Sequence, residues 1–180
     1  MTTFAKTVFT AILIFTFSTG LRAQVQLFPM SINAPVNNAE LVGIATQYVE
    51  SLVKGEFKAA DALIASNFMI YHAGGDSLNK EALIKIWKSY HADATGLSFT
   101  NGEILAMTIK EGPSKGDWAL IWGLASWTPN VTKQPVYSYT HMALQIEKGK
   151  VIKSYQFEDN LAVMMQMGYQ LVPPVTTSRQ

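Results

Sequence analysis

Between Leu97 and Glu158 the chain is almost wholly β-rich, in four runs near 97–110, 117–128, 136–147 and 150–158. The separators are Gly112-Pro113-Ser114-Lys115-Gly116, Pro129-Asn130 with Pro135, and Lys148-Gly149, the last a tight hairpin signal. Everything ahead of this block has helical spacing instead. Asn37 with Glu40 three positions on reads as a capping box, and Leu41, Ile44, Ala45, Tyr48, Val49 and Leu52 recur at helical intervals until Gly55. A short helix is expected from Glu56 to about Ala65, then a strand Phe68–His72 ending at Gly74-Gly75. Asn79 caps a third helix, Lys80–His91, with Leu83, Ile86, Trp87 and Tyr90 inward, and Asp159 caps a last one, Asn160–Met167, closed by Gly168. Helices first and antiparallel strands after make an α+β fold. A curved antiparallel sheet wraps as a cone over three N-terminal helices, with the short C-terminal helix near the pocket mouth.

At 180 residues and 48% apolar content, the chain suffices for one domain with a real core. With 15% charged residues it is neither a disordered chain nor a coiled coil. The absence of Cys excludes disulfides, thiolate catalysis, Cys-held zinc and iron–sulfur clusters. A net charge of +1 with no cluster of four Lys or Arg argues against a nucleic-acid groove.

Residues 1–23 carry Lys6, an apolar stretch Val8–Phe17 and then small residues, which is the order of a secretory signal. The stretch is too short for the roughly 20 residues of a membrane span. Cleavage is expected after Ala23, or else after Gly20. That leaves 12 basic against 13 acidic residues in a mature chain expected to be periplasmic or secreted, with no membrane association after signal removal. Residues 24–36 read as an extended arm, 37–170 as the domain and 171–180 as a disordered tail.

The run TQYVESLVKGEFKAADALIASNFMIYHAGGDSLNKEALIKIW, with HMALQIEKGKVIKSYQFEDN later, resembles the nuclear transport factor 2-like superfamily. Within it, the chain is closest in style to SnoaL-like polyketide cyclase and ketosteroid isomerase domains, over roughly residues 38–169. A gap-free match to ketosteroid isomerase implies that the oxyanion-hole tyrosine falls on Tyr48, the catalytic carboxylate on His72, and the second oxyanion acid near Met142. The epoxide hydrolases of this superfamily need a pocket arginine, and the only Arg after the leader is Arg179 in the tail.

His72 ends a strand on which Phe68, Ile70 and His72 share a face, and a neutral imidazole can take a proton from a carbon acid or water. Tyr48 faces inward with Leu41, Ile44 and Leu52, where a phenol packs in the core or serves an oxyanion. Glu158 and Asp159 point to opposite faces. Asp159 reads as a helix cap that could also orient a histidine at the pocket mouth. His141 shares the outer face with Tyr137 and Tyr139, an expected homodimer surface, and His91 ends the third helix, where a cation suits the dipole. Trp118, Leu120, Trp122 and Leu124 share one face, as core or as the wall of a flat apolar site. Trp87, Tyr90, Trp122, Met142, Tyr155 and Met164 are the expected ligand contacts, with Met164, Met165 and Met167 as an adaptable lid.

Two motif matches carry no chemistry of their own. Gly112–Gly116 fits G-x-S-x-G, yet strands lie on both sides, so it is a hairpin loop and not a hydrolase elbow. Asn130-Val131-Thr132 fits a glycosylation acceptor, relevant only to a eukaryotic secretory route. The three histidines have no metal-ligand spacing, and no cofactor is expected. The expectation is therefore a secreted domain with an apolar pocket. It binds or transforms a small apolar carbonyl compound by cofactor-free acid–base chemistry of isomerase, cyclase or dehydratase type. The alternative is a non-catalytic carrier or a dimeric interaction domain.

Overall fold

A computed structural model describes residues 32–172; the leader, most of the arm and nearly all of the tail lie outside them. In chain order the elements are β1 (Ile32–Asn33), α1 (Asn38–Val53), α2 (Phe57–Leu63), β2 (Ile64–His72), β3 (Ser77–Asn79), α3 (Lys80–Asp93), β4 (Ala94–Ile109), β5 (Gly116–Pro129), β6 (Val136–Glu147), β7 (Lys150–Glu158) and α4 (Asn160–Gln166).

Helical spacing gives α1 a buried face of Leu41, Ala45, Tyr48, Ser51 and Leu52, which fills the concave side of the sheet. Its start differs from expectation. Asn37 makes no side-chain cap; its amide instead donates to the Glu40 carboxylate at 3.4 Å, so no capping box forms. At the other end Gly55 takes φ +74°. There His91, reaching across from α3, donates from Nε2 to the Leu52 carbonyl at 2.9 Å. His91, in the last turn of α3 as expected, thus also caps the end of α1, and Phe57 packs edge-on against its ring at 5.4 Å. Asn79 caps α3 by accepting from the Ala82 N–H at 2.9 Å, and Lys80 ties α3 to the carbonyls of Asp61 and Ile64.

The open sheet has the order β1-β4-β5-β6-β7-β2-β3. It is antiparallel with one exception: β2 runs parallel to β7. The expected curved antiparallel sheet is present, and the parallel pairing of β2 is an addition to it. β2 leaves the sheet through the helical segment before the β4–β7 meander begins, so no hairpin sets its direction against β7. The short strands β1 and β3 were not expected either. Curvature comes from bulges in β4, where the register against β5 shifts between Thr95 and Ser98 and again between Thr100 and Glu103. Gly96 at φ +65° and Asn101 at φ +53° sit inside those two irregularities. Lys148 and Gly149, both at positive φ, make the two-residue β6–β7 turn.

Strand alternation divides the sheet into two surfaces. Along β6, Val136, Ser138, Thr140, Met142, Leu144 and Ile146 are buried, while Tyr137 and Tyr139 are exposed. The concave side joins Ile121, Leu144, Ile146, Val151, Phe68 and Ile70 to the buried face of α1. The convex side is aromatic. Tyr71 stacks on Tyr155 at 5.3 Å and Tyr155 on Trp118 at 6.1 Å; one row on, Trp122 stacks on His141 at 4.9 Å with the rings 4° from parallel. Among the described residues no helix is long and apolar enough to cross a membrane.

Replacing His91 by Ala leaves the Leu52 carbonyl without its side-chain donor. The expected cost is about 1–2 kcal/mol, read as a lower urea midpoint at unchanged slope.

Candidate functional site

A cavity of about 330 Å³ lies between the concave face of the sheet and α1, α3 and α4. Its depth is apolar: Leu52, Val53, Leu78, Leu83, Ile86 and Leu97 line it with the rings of Tyr48, Trp87, Tyr90, Phe99 and Trp127. The sheet register sets its polar end. Met142 pairs with Gln156, which pairs in turn with His72, and one step along β6 and β7 Thr140 pairs with Glu158. All five line the cavity. Gly123 pairs with Thr140 from the other side, and a Cβ there would collide with the Phe99 ring. The absent side chain at Gly123 is what lets Phe99 lie down as a wall.

His72 is held by its own turn. Its N–H donates to the Asp76 carbonyl at 3.1 Å and its carbonyl accepts from Gly75 at 3.0 Å, with Gly75 at φ +85°. That turn brings the Asp76 carboxylate to 2.9 Å from His72 Nδ1. The hydrogen bond to His72 holds the Asp76 carboxyl below its ordinary range. An ionised carboxylate only accepts, so Nδ1–H donates and the Nε2 lone pair is left free in a neutral ring.

Other ionisable groups of the cavity are shifted by burial. Tyr48 is 2% exposed, and burial pushes its phenol well above the usual range, so it stays protonated. Burial also raises the Glu158 carboxyl, opposed by the nearby His72 and Gln156. Tyr90 is raised by burial and by the charge of Glu158. The Thr140 hydroxyl is buried and has no hydrogen-bond partner among the described residues.

The expected site residues divide cleanly. Tyr48, His72, Trp87, Tyr90 and Met142 line one cavity. Trp122 and Tyr155 do not: both lie on the convex face, in the aromatic stacks. Asp159 is also outside. Its carboxylate caps α4 by accepting from the Ala162 N–H at 2.9 Å, and the cavity carboxylate is its neighbour Glu158. Met164 is exposed, and α4 contributes Asn160 and Val163 to the lining instead. Gln166 clasps α4 to the sheet through both the N–H and the carbonyl of Tyr137, each at 2.9 Å. Sequence reasoning missed Asp76 and Thr140. The turn Gly74-Gly75 after His72 was the available signal for Asp76; nothing local marks Thr140. Among the described residues no group of three or more His, Asp or Glu is placed to hold a metal ion.

This open cone with helices on its concave face is the nuclear transport factor 2-like fold. Solved structures share it at low identity. An NTF2-like protein from Burkholderia xenovorans is 17% identical, with 71% of this chain and 95% of that one covered at a TM-score of 0.56. IdmH, a candidate polyketide cyclase from Streptomyces antibioticus, is 17% identical over 71% of this chain and 98% of its own, at a TM-score of 0.58. A hypothetical protein with a ketosteroid isomerase-like fold from Catenulispora acidiphila, solved in complex with trimethylamine, is 14% identical over 72% and 97%, at 0.56. No protein-family profile and no curated protein sequence matches the chain.

Because folding raises the Glu158 carboxyl, the folded state holds its proton to higher pH than the unfolded chain does. Stability therefore falls as pH rises from the ordinary carboxylate range through the folded value. Glu158→Gln removes that slope and melts higher than the parent at pH 7, a shift that thermal melts across pH 4–8 would show or deny.

Proposed function

We propose that the chain is an exported small-molecule domain. Its cavity takes a small, largely apolar, carbonyl-bearing compound and shifts a proton on it without a cofactor. The observation that carries this reading is His72, lining an otherwise apolar cavity with its Nδ1 held by Asp76 at 2.9 Å. The leader at 1–23 supports export, and the solved neighbours named above support a small-molecule cavity in this fold.

In this mechanism, Nε2 of His72 takes a proton from the carbon beside the carbonyl. The C–H electron pair passes into the enolate, whose oxygen accepts from the Tyr48 hydroxyl. The imidazolium, stabilised by Asp76, returns the proton to the same or a conjugated carbon, and no co-reactant is consumed. The probe is 2-tetralone, a flat ketone with an acidic C–H, followed by NMR as it exchanges into D2O. Wild type is expected to accelerate exchange and His72→Gln to lose about 10²–10⁴-fold. Asp76→Asn should lose less. Equal rates for wild type and His72→Gln would end the catalytic reading and leave a carrier.

A second reading concerns the convex face, and a specific observation favours it. Tyr71, Leu105, Trp122, Tyr137, Tyr139 and Phe157 are all exposed there. Together they present on the order of 600 Å² of side chain, approaching the roughly 800 Å² that each partner of a specific interface buries. That patch is at the upper end of what a monomer usually leaves in water, and it is backed by the sheet, so it can meet its own copy as an isologous contact. The occupant is a second copy of this chain. Light scattering should give twice the chain mass at micromolar concentration, with Trp122→Glu shifting it to monomer; a monomeric parent at high concentration would refute it.

A further inference from the structure

The proton-transfer mechanism uses His72, Asp76 and Tyr48 and leaves the Glu158 carboxylate and the Tyr90 phenol of the cavity without a task. Glu158 lies across β6–β7 from Thr140. Directly opposed inward residues of antiparallel strands place their Cβ atoms about 4.5–5.5 Å apart. Thr140 lines the same cavity as Glu158, but its hydroxyl oxygen is buried and has no partner among the described residues. No Lys or Arg lines the cavity, and none of the ion pairs among the described residues involves Glu158. The Glu158 carboxylate thus faces the cavity with Gln156 as its hydrogen-bond partner and His72 nearby, and with no Lys or Arg to pair it.

The walls beside them have the complementary chemistry. Trp87 and Tyr90 both line the cavity, 5.9 Å apart between centroids with their planes at 86°, so two ring systems meet as a corner. Aromatic faces carry a negative quadrupole that attracts a weakly hydrated cation. Glu158 is near enough to Tyr90 for its charge to act on the phenol. Burying a carboxylate against aromatic walls is unfavourable on its own and becomes favourable when a cation sits with it.

We infer that the cavity's ligand carries an alkylammonium group, seated against the Trp87–Tyr90 corner with its N–H donated to the Glu158 carboxylate. The inference rests on the reading that this cavity is the ligand site. It names the substrate class: an aminated, otherwise apolar molecule, its amine at the Thr140–Glu158 row and its reactive carbon one row away at Gln156–His72.

The test compares 2-phenylethylammonium with 2-phenylethanol, equal in size and differing in charge, by titration calorimetry or ligand-observed NMR at pH 7. The ammonium is expected to bind at least tenfold tighter than the alcohol. Glu158→Gln should lose that tenfold for the ammonium and leave the alcohol unchanged. The inference is overturned if the alcohol binds as tightly as the ammonium, if Glu158→Gln leaves the ratio intact, or if neither probe binds. In each of those cases 2-tetralone exchange by the wild type tells whether the proton-transfer reading falls too: His72-dependent exchange keeps it, and background exchange removes both.

Discussion

Everything in this molecule follows from a sheet that bends without closing. Bulges at Gly96 and Asn101 curl β4 over its neighbours, and the strand order runs from β1 to β3 without returning on itself. A curled open sheet has a concave face that must be filled from outside. Leu41, Ala45, Tyr48 and Leu52 of α1 fill its deeper part against Ile121, Leu144 and Phe68. They do not reach the far end. The cavity is the volume left where α1 stops and α3 and α4 lean in without meeting.

How much of this could be read in the chain depends on which kind of order was asked for. Local order was legible. The helices at Asn38–Val53 and Lys80–Asp93, the four long strands and the Lys148-Gly149 turn all lie within a few residues of where periodicity and turn chemistry put them. Parity was harder. A period of two shows that Trp118, Leu120, Trp122 and Leu124 share a face but not which face, and aromatic bulk pointed the wrong way. The concave positions of β5 are the small ones, Ala119, Ile121, Gly123 and Ala125, because space there is taken by α1 and by the Phe99 ring. Trp118 and Trp122 therefore fall on the convex side, stacked on Tyr155 and His141, while Trp127 near the strand's end lines the cavity. Trp122 and Tyr155 were misplaced for that reason.

The same one-residue ambiguity decided the acid. Glu158 and Asp159 are adjacent, and the sequence offered Asp159 two roles, cap and site. A cap satisfies the Ala162 N–H from outside the cavity, which turns Asp159 away and leaves the inward position to Glu158. The Asp76–His72 contact was illegible for a different reason. It depends on a five-residue turn closing on itself, and Gly75 makes that geometry accessible without declaring it. The parallel pairing of β2 with β7 joins segments some eighty residues apart, and no local pattern encodes it.

Polarity inside the cone is graded along its axis, and the grading assigns the work. Inward pairs across β6 and β7 run from Ile146–Val151, through Leu144–Ser154 and Met142–Gln156, to Thr140–Glu158. The first row is wholly aliphatic, the next two carry one polar side chain each, and the row nearest α4 carries two. In a sealed core that order would be costly, since burying an unpaired polar group loses its hydration without return. Here the last two rows open onto the cavity, so a ligand supplies what the protein withholds. An apolar molecule with one polar end can satisfy the gradient in a single orientation, apolar body toward Leu52 and Leu83, polar end toward Glu158. Orientation is what the proposed base His72 would require, because proton transfer depends on one carbon being presented to Nε2 and the others being kept away. The gradient, set by strand register alone, is thus the device that would turn a general apolar hollow into a directed site.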